Sequence, residues 1–409
     1  MEVIYLDNAA TTPIRPEVKE AMEPYFNEMY ENPSGAYPSA IRCREEIEKV
    51  RAVIAGTIHA RPEEIYFTSG GTESDNWAIR ETARLLKKKG NHIITSAIEH
   101  HAVLNTCRAL EKEGFSITYL GVDEEGKIRL SELERAIRPE TILISIMYAN
   151  NEVGTIQPVN RIGEIAQKYG ILFHTDGVQV YGHLPVDVRK SHISMFSASG
   201  HKLNGPKGIG FLYVRKEIPL SSLIYGGGQE KGKRAGTENV PGIIGLGKAA
   251  EISCAMQKEE EKRIWELREH LITRLLSEIP YCRVNGSRKN RLPGNCNVSF
   301  QFLRASCLLC QLGKKGICAS AASACSTGSA EPSHVLTAMG LPRELANGTL
   351  RLTLGYQNTM EEMDQVADQI KEMVETLRGK SGQYHEFRGK NLGEKIFPEK
   401  WLIPEKEKV

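Results

Sequence analysis

One lysine, Lys202, is a candidate for covalent chemistry through its side-chain amine. Lys202 closes the segment Ser197-Ala198-Ser199-Gly200-His201-Lys202, and the apolar run Ile193-Ser194-Met195-Phe196 before it should place it at a strand end. A partly desolvated lysine can act as an amine and form a Schiff base, and the hydroxylic residues beside it suit a bound phosphate group. The alternative for Lys202 taken alone is an ordinary surface lysine.

An acidic residue ends another apolar strand pattern. The segment is Phe173-His174-Thr175-Asp176-Gly177-Val178-Gln179. Asp176 can keep a proton on the ring nitrogen of a cofactor, which makes that ring a stronger acceptor of electrons. It can equally cap the helix that follows the strand. Both interpretations stay open on this segment alone.

A glycine-rich turn lies between a predicted strand and a predicted helix. Gly70-Gly71-Thr72-Glu73-Ser74 follows Ile65-Tyr66-Phe67 and precedes a helical segment from Trp77 to Lys88. Backbone N–H groups at such a helix start, together with the helix dipole and a Thr hydroxyl, can bind phosphate. No Gly-Lys-Ser/Thr follows, so the turn is not a Walker sequence.

One cysteine sits in a run of small residues. The stretch from Ala319 to Ser329 consists of Ala, Ser, Thr and Gly around Cys325. Such a run makes a poor core strand and a good mobile loop. A free thiol with a pKa of ~8.5 is partly ionised at neutral pH and strongly nucleophilic. The alternative is a buried cysteine in a close-packed turn.

The strand and helix patterns around these segments predict an open α/β sheet. Strand-like apolar runs alternate with helical stretches, such as Ile162 to Tyr169, from about Ala40 to Val214. This alternation argues for a mostly parallel sheet with helices on both faces, in which ligands bind outside the carboxyl ends of the strands. The further strand candidates are His92–Thr95, Ile117–Leu120, Ile142–Ile146 and Ile171–His174.

After Gly242 the pattern changes to that of a smaller α+β domain. The predicted elements are a long charged helix at about 243–278, strands at 297–300 and 349–354, and a helix at about 360–377. Beyond Arg378 the chain is polar and charged. This tail is either a flexible extension or an arm that docks on something, and its scattered aromatic residues are Tyr384, Phe387, Phe397 and Trp401.

Composition limits the partners and the compartment. Lys+Arg at 53 nearly balances Asp+Glu at 51 over 409 residues, so no net field favours nucleic acid or an anionic membrane. No apolar run approaches the ~20 residues that a membrane-spanning helix needs, and the N-terminus has no signal-peptide pattern. The nine cysteines are scattered, so most should be reduced thiols in a cytoplasmic protein.

A Cys-x-x-Cys pair makes metal binding or redox chemistry an alternative to packing in the core. The pair is Cys307 and Cys310, in Cys307-Leu308-Leu309-Cys310-Gln311-Leu312. Two cysteines at this spacing occur in metal sites and in redox motifs. The segment is apolar in a helix-like pattern, however, and that favours packing in the core. We therefore predict core packing for both thiols and no resident metal.

The four segments, in this order, resemble the cysteine desulfurases of the NifS/IscS type, within the class-V aminotransferase-like, fold-type I pyridoxal-phosphate (PLP) enzymes. The resemblance runs from Tyr5 to about Leu377. No single block is decisive. A chance match of all the blocks in the same order would require many independent coincidences. The further matching blocks are Tyr5-Leu6-Asp7-Asn8-Ala9-Ala10-Thr11-Thr12, Glu99-His100-His101-Ala102-Val103, Ala149-Asn150-Asn151-Glu152-Val153-Gly154, Arg234-Ala235-Gly236-Thr237-Glu238-Asn239 and Glu331-Pro332-Ser333-His334.

The resemblance implies the fold-type I architecture. This is an α/β fold with a mostly parallel, seven-stranded type of sheet, helices on both of its faces, and a smaller α+β domain. It implies a large PLP-binding domain at residues 16–258 and a small domain at 1–15 and 259–378. The small domain carries the Cys325 loop, and residues 379–409 form a C-terminal extension.

The resemblance also implies roles for single residues. Lys202 is the Schiff-base lysine and later the base that moves the Cα proton. His100, directly after Glu99, stacks on the cofactor ring and takes part in proton transfer. Asp176 pairs with the pyridine nitrogen, and Gln179 with the ring hydroxyl. The remaining implied contacts are Gly71, Thr72, Ser199 and His201 to the phosphate, Thr237 to the phosphate of the partner subunit in a homodimer, and Asn151 and Arg351, with Asn8 nearby, to the substrate carboxylate.

The implied reaction converts L-cysteine to L-alanine and leaves the sulfur as a persulfide on Cys325. The persulfide would pass to a sulfur acceptor such as an iron–sulfur scaffold, and Cys325 could transiently ligate a cluster. The loop departs from the family's usual Ser-Ser-Gly-Ser-Ala-Cys, because Ala321 and Ala322 replace its second Ser and its Gly. Loss of that glycine removes easy access to positive φ. The loop still resembles the longer group of the family.

Two rival functions remain on the sequence. One is an aminotransferase or selenocysteine lyase of the same fold, although a transaminase needs no nucleophilic thiol such as Cys325. The other is a non-catalytic sulfur-assembly partner, although such a protein would be free to lose Lys202 and Asp176. A further hypothesis is that the aromatic residues of the tail help to dock a sulfur acceptor.

Overall fold

The computed structural model of the chain describes residues 3–321 and 332–389. Cys325, Glu331, Phe397 and Trp401 lie outside the described residues. The strands are β1 (Ile4–Tyr5), β2 (Ile65–Thr68), β3 (His92–Ser96), β4 (Ser116–Leu120), β5 (Thr141–Ser145), β6 (Leu172–Asp176), β7 (Met195–Ser199), β8 (Gly210–Val214), β9 (Cys282–Val284), β10 (Asn295–Phe300), β11 (Ile317–Cys318), β12 (Ser320–Ala321) and β13 (Thr349–Thr353). The α-helices are α1 (Pro16–Met22), α2 (Pro24–Asn27), α3 (Pro38–Thr57), α4 (Gly71–Leu86), α5 (His101–Lys112), α6 (Leu130–Ala136), α7 (Val159–Tyr169), α8 (Gln229–Gly232), α9 (Val240–Glu278), α10 (Ala305–Lys314), α11 (His334–Ala338), α12 (Arg343–Asn347), α13 (Met360–Arg378) and α14 (Gly382–Gly389).

The larger sheet has seven strands in the order β2-β8-β7-β6-β5-β3-β4. From β7 to β4 the neighbours run parallel, and β8 is antiparallel to both β2 and β7. Strands β3, β5, β7 and β8 are buried along their whole length. Parallel strands that are covered on both faces need apolar residues at nearly every position, which explains the continuous apolar runs in the sequence. The predicted mostly parallel α/β sheet is confirmed.

Alternate residues of the strands feed two hydrophobic cores, one on each face of the larger sheet. In β3, Ile94 belongs to the core that includes α3, whereas Ile93 belongs to the core that includes α4 and α5. This division arises because successive side chains of a strand point to opposite faces. Since β6 and β7 are parallel, their last residues, Asp176 and Ser199, reach the same edge of the sheet.

The smaller sheet has four antiparallel strands in the order β12-β13-β10-β9. The N-terminal strand β1 pairs in parallel with β11, and Ile4 and Leu6 pack in the core of this second unit. Leu308 of α10 and Met363 of α13 fill the same core. The second half of the chain is therefore an α+β unit that also uses the N-terminus. The predicted domain limits remain a prediction.

Helix α9 joins the two units as one continuous element of 39 residues. Leu246 and Ala250 lie in the core of the larger sheet, whereas Leu271 and Leu275 lie in the core of the smaller one. The predicted limit between 258 and 259 thus falls inside an unbroken helix. Neither α9 nor any other helix of residues 3–321 and 332–389 is long and apolar enough to cross a membrane.

The first part of the tail packs on its own chain. Helix α14 brings Tyr384 and Phe387 against Tyr281 and Phe302, with ring centroids 4.8 Å apart for Phe302 and Phe387 and 5.4 Å apart for Tyr281 and Phe387. Arg378 donates to the carbonyl oxygens of the neighbouring turn. Two of the aromatic residues predicted to dock an acceptor are therefore engaged within the chain.

The Cys-x-x-Cys pair lies on the exposed face of α10. Cys307 and Cys310 are both exposed, whereas Leu308 and Leu312 are buried. The predicted core packing of the two thiols is wrong, because at 3.6 residues per turn the leucines take the buried face of the helix and leave the cysteines on the opposite side. In the described part of the chain, no group of three or more His, Cys, Asp or Glu side chains could hold a metal ion.

Candidate active site

Most of the residues predicted for the site line one cavity of about 430 Å³. The cavity lies between the two sheets, because Asp176 and Ser199 end strands of the larger sheet while Ser320 and Arg351 come from the smaller one. Its volume is typical of a small-molecule site. The predicted residues in its lining are Gly71, Thr72, His100, Asn151, Asp176, Gln179, Ser199, His201, Lys202 and Arg351.

Lys202 projects into the cavity from the 3-10 turn Gly200–Lys202 that follows β7. Its Nζ donates to the carbonyl oxygens of Ala9 at 2.6 Å and Ala10 at 2.7 Å. Gln179 Nε2 donates to the same Ala9 oxygen at 3.0 Å. The N-terminal segment thus forms the wall that orients the amine, and Lys202 is a half-buried cavity residue rather than a surface lysine.

Asp176, the last residue of β6, is buried in the cavity wall. Its Oδ1 accepts a hydrogen bond from the N–H of Val178 at 2.9 Å, a local contact like a cap, although no helix begins there. Burial raises the pKa of Asp176, and the nearby His100 and Lys202 oppose that rise. A protonated ring nitrogen beside this carboxyl would stabilise its charged form.

A second carboxyl, Asp75 of α4, lines the same cavity and was missed by the sequence analysis. It is 1% exposed, and its Oδ1 has no hydrogen-bond partner among the described residues. Burial and the nearby Asp176 raise the pKa of Asp75 well above its usual range. Asp75 lies four positions after Gly71 in α4, and that helical spacing was the available signal that both share one face.

His100 is held by a contact to the start of helix α5. Its Nδ1 accepts a hydrogen bond from the N–H of Ala102 at 3.1 Å, so the neutral ring carries its proton on Nε2. Burial lowers the pKa of His100; Asp176 opposes this effect, while Lys202 adds to it. His100 is therefore a neutral imidazole of fixed orientation near pH 7.

The turn before α4 forms a cradle from its backbone. Gly70 has a φ of 146°, a conformation that other residues rarely adopt. A Cβ on Gly71 would lie 2.5 Å from Val178 Cγ2, so only glycine allows this approach. The first N–H groups of α4 have no partner within the helix and can hold an anion. The side chains that line this cradle include Thr72, Ser199 and His201.

Lys207 adds a positive charge to the cradle that the sequence analysis missed. It is exposed and lines the same space as His201. His201 Nδ1 lies 3.1 Å from Thr11 Oγ1. Burial, with the charges of Lys202 and Lys207, lowers the pKa of His201 to about 4. The ring is therefore neutral, and the lysines supply the charge that a phosphate group needs.

Arg351 reaches the cavity from the middle of β13. Its Nη2 pairs with Asp7 Oδ1 at 2.9 Å, and its Nη1 donates to the carbonyl oxygen of Asn151 at 3.3 Å. Its Nε is buried without a hydrogen-bond partner among the described residues. Asp7, rather than Asn8, is thus the residue beside the guanidinium. The two partners are 344 positions apart, so no local sequence pattern could have predicted their contact.

Of the predicted residues that the structure describes, Asn8 and Thr237 do not line this cavity. Asn8 lines a narrower cavity of about 70 Å³ on the other side of Lys202, and its side chain donates to the Thr353 carbonyl at 2.8 Å. Thr237 is exposed to solvent. Cys325 lies outside the described residues. The roles of these three residues stay predictions.

Comparisons with known proteins agree with this fold. A family model described as aminotransferase class-V matches residues 4–366. The chain is 52% identical over 380 residues to a protein of Methanosarcina thermophila named cysteine desulfurase IscS, over 93% of this chain and 94% of that protein. It is 50% identical over 375 residues to a Dictyoglomus turgidum protein of the same name, over 92% and 95% of the two chains.

Solved structures give the same result. A NifS-like protein that is 39% identical has a TM-score of 0.87, with 92% of this chain and 100% of that chain covered. A structure titled SspA in complex with cysteine is 40% identical, with a TM-score of 0.77 and 86% and 98% of the two chains covered. Fold and cavity together define a PLP-dependent enzyme. The chain belongs to the class-V aminotransferase family and, within it, to the cysteine desulfurases of the NifS/IscS type.

The residues of the cavity fit PLP. They provide a lysine amine, a buried acid near a neutral imidazole, and a glycine cradle with adjacent positive charge. Two buried polar atoms of the wall, Asp75 Oδ1 and Arg351 Nε, have no hydrogen-bond partner among the described residues. Unpaired polar atoms of this kind are expected where a polar ligand completes the site.

Proposed function

We propose that this chain converts L-cysteine to L-alanine and keeps the substrate sulfur as a persulfide on Cys325, with PLP as its cofactor. The observation that carries the proposal is one cavity that contains Lys202, Asp176 and His100 and, from the other sheet, Arg351. An amine, an acid for a ring nitrogen, a proton carrier and a carboxylate partner are the groups that an amino-acid substrate requires. The relatives named cysteine desulfurase support cysteine as that amino acid.

Arg351 is the group that would bind the substrate carboxylate. Asp7 and the Asn151 carbonyl already fix its guanidinium plane. A cation that is held in place before binding loses less conformational entropy when the ligand arrives. A guanidinium has five N–H donors, so donors remain for an incoming carboxylate after these two contacts.

The proton transfers belong to Lys202 and His100. When bound, PLP supplies a conjugated ring that stabilises negative charge at the substrate Cα. Lys202 Nζ, oriented by the Ala9 and Ala10 carbonyls, takes and returns the Cα proton. His100, neutral with its proton on Nε2, is the second carrier: Nε2 can give this proton and take one back, while Nδ1 stays bound to the N–H of Ala102. Asp176 would hold the proton of the ring nitrogen by electrostatic attraction.

The sulfur step breaks one bond and forms one bond. The Cys325 thiolate attacks the substrate sulfur, so an S–S bond forms and the Cβ–S bond breaks. The electron pair of the broken bond stays with the carbon skeleton, which takes up a proton and leaves as alanine. The carbon is reduced while the sulfur is oxidised to the persulfide level, so the step needs no external oxidant.

Product analysis tests this proposal. The holoenzyme is incubated with L-cysteine and a thiol reductant, and wild type is compared with Cys325→Ala. We expect equal molar alanine and sulfide from wild type. Both should collapse in the variant while the cofactor absorbance remains. Pyruvate in place of alanine, or activity that survives the substitution, would instead mean a lyase or a transaminase.

We further propose that two chains form a homodimer in which Thr237 reaches the phosphate of the partner's cofactor. The support is that Thr237 is exposed and stands outside the cavity of its own chain. The exposed Tyr225, with 71% of its surface accessible, lies in the same part of the chain. Sedimentation should give a dimer mass, and Thr237→Ala should weaken PLP binding without changing that mass. A monomer with full PLP affinity would contradict this.

The proposals for the sulfur acceptor and for the cellular compartment are based on the sequence and the family. We propose a protein acceptor of the iron–sulfur scaffold type and a cytoplasmic location. A radiolabelled sulfur atom from L-cysteine should pass from Cys325 to such a scaffold, and the label should stay on the enzyme when the scaffold's cysteines are blocked. Cell fractionation tests the location, and recovery in the membrane fraction would contradict it.

A further inference from the structure

The carboxyl group of Asp75 lines the cavity but has no part in the chemistry described above. It belongs to helix α4 and is almost fully buried, and its Oδ1 has no hydrogen-bond partner among the described residues. Burying an unpartnered polar group costs free energy, and the cost is much higher when the group is charged. A carboxyl in this position is therefore expected to gain a partner when a polar ligand enters the cavity.

His174 lies beside Asp75 but brings no charge to it. His174 Nε2 is 3.6 Å from Asp75 Oδ1, which is too long for a hydrogen bond. The same Nε2 lies 3.0 Å from Ser197 Oγ, and Nδ1 lies 2.8 Å from Ser145 Oγ. Burial lowers the pKa of His174 to about 3. His174 is thus a neutral ring between two serines, and it cannot stabilise a carboxylate at Asp75 by charge.

The charges that act on Asp75 oppose its ionisation. Burial, and then the neighbouring carboxyls Asp176 and Glu99, raise the pKa of Asp75 well above its usual range, while Ser197 opposes the rise. Like charges that share one site disfavour the ionisation of one of the two groups. Asp75 therefore keeps its proton while Asp176 is ionised.

Asp176 stands in the opposite environment. Burial raises its pKa as well, but the N–H of Val178 donates to its Oδ1 at 2.9 Å, and His100 and Lys202 favour its charged form. When the surroundings of two nearby acids differ in this way, one acid serves as the proton donor and the other as the anion. The contacts assign the negative charge to Asp176 and the proton to Asp75.

We propose that Asp75 is a cofactor-binding residue that acts as a neutral carboxylic acid. Its O–H donates a hydrogen bond to an oxygen atom of the bound PLP, and its neutrality leaves Asp176 as the anion for the ring nitrogen. A protonated carboxyl has one such donor, whereas a carboxylate has none. This inference rests on the proposed function, because it assigns Asp75 to the same PLP site.

Variants of Asp75 separate the donor from the charge. Asp75→Asn is neutral at every pH and keeps an N–H donor, so it is the conservative variant. Asp75→Leu and Asp75→Ala remove the polar group with a larger and a smaller side chain, so one of them can serve if the other does not fold. Glu81→Met is the matched control, because Glu81 is a buried acid of the same helix that does not line the cavity.

The first measurement tests the protonation of Asp75 without turnover. Holoenzyme is labelled with aspartate that carries 13C in its side-chain carboxyl, and infrared spectra of wild type and Asp75→Asn are compared at pH 7. Wild type should show the carbonyl band of a protonated aspartic acid that the variant lacks. The label separates this band from those of the buried glutamates, such as Glu99 and Glu152, whose pKa values burial raises to about 8 and about 7. Loss of carboxylate bands alone would mean that Asp75 is ionised, and the proposal would be overturned.

The second measurement is the rate at which PLP leaves the diluted holoenzyme, followed by absorbance. Asp75→Leu and Asp75→Ala should lose PLP about tenfold faster than wild type, as expected when one hydrogen bond of a buried group is lost. Asp75→Asn and Glu81→Met should match wild type. Wild-type retention in Asp75→Leu and Asp75→Ala, or equally fast loss from Asp75→Asn, would overturn the donor role. Wild type that binds no PLP would refute the proposed function instead, and the infrared band would still decide whether Asp75 is protonated.

Discussion

Replacement of Glu99 by Gln tests whether an acid next to the cavity is held in its protonated form. Glu99 is 1% exposed, and both of its oxygens accept from the N–H of Met147, at 3.1 and 3.0 Å. Burial raises the pKa of Glu99 from 4.5 to about 8 in spite of these hydrogen bonds. Between these two values the folded chain holds a proton that the unfolded chain has released. The free energy of unfolding therefore falls as the pH rises through this window.

The size of the effect follows from the two pKa values of Glu99. One pH unit within the window corresponds to about 1.4 kcal/mol, and the slope fades as the pH approaches the upper pKa. Between pH 6 and pH 8, the titration of Glu99 should therefore lower the free energy of unfolding of the wild type by about 2 kcal/mol. Glu99→Gln cannot titrate and should lack this loss. Glu152 and Asp75 titrate in both proteins, so their contributions cancel in the comparison.

Urea unfolding of the holoenzyme at pH 6, 7 and 8, followed by circular dichroism, measures the difference. The midpoint of wild type should fall with pH more steeply than that of Glu99→Gln. Glu64→Gln, which removes another buried acid that pairs with Arg189, controls for loss of a buried carboxyl as such. Equal slopes for wild type and Glu99→Gln would mean that Glu99 is ionised in the folded chain, and the reasoning would be refuted.

Three shorter predictions concern the cavity and the thiols. Lys202→Ala should slow alanine formation by at least about 10²-fold, as expected when a positioned base is lost, and a rate close to wild type would remove Lys202 from the chemistry. Gly71→Ala should weaken PLP binding about tenfold, measured by absorbance titration, because the new Cβ would meet Val178 at 2.5 Å and displace the cradle. Unchanged affinity would contradict the cradle. In native alkylation, Cys307 and Cys310 should react quickly and the buried cysteines of the described chain slowly; protection of the pair would contradict its exposed position.

Local patterns predicted most of the larger sheet because a strand's periodicity and a strand's end are local properties. Asp176 and Lys202 were placed at the carboxyl ends of strands, and parallel strands bring such ends to one edge. The glycine turn at Gly71 was placed at a helix start, and the structure has α4 begin there. Strand β8 was not predicted, although it separates β2 from β7 in the sheet.

What remained hidden depends on contacts between distant parts of the chain. The pairing of Asp7 with Arg351 and the anchor of Lys202 on Ala9 both join the N-terminus to other elements. The exposure of Cys307 shows a different limit, since an apolar helix pattern does not say which of its residues face the core. Local patterns were sufficient to predict the type of fold and the chemistry of the site. Which charges meet could not be predicted in this way, because burial and long-range pairing are set when separate elements pack together.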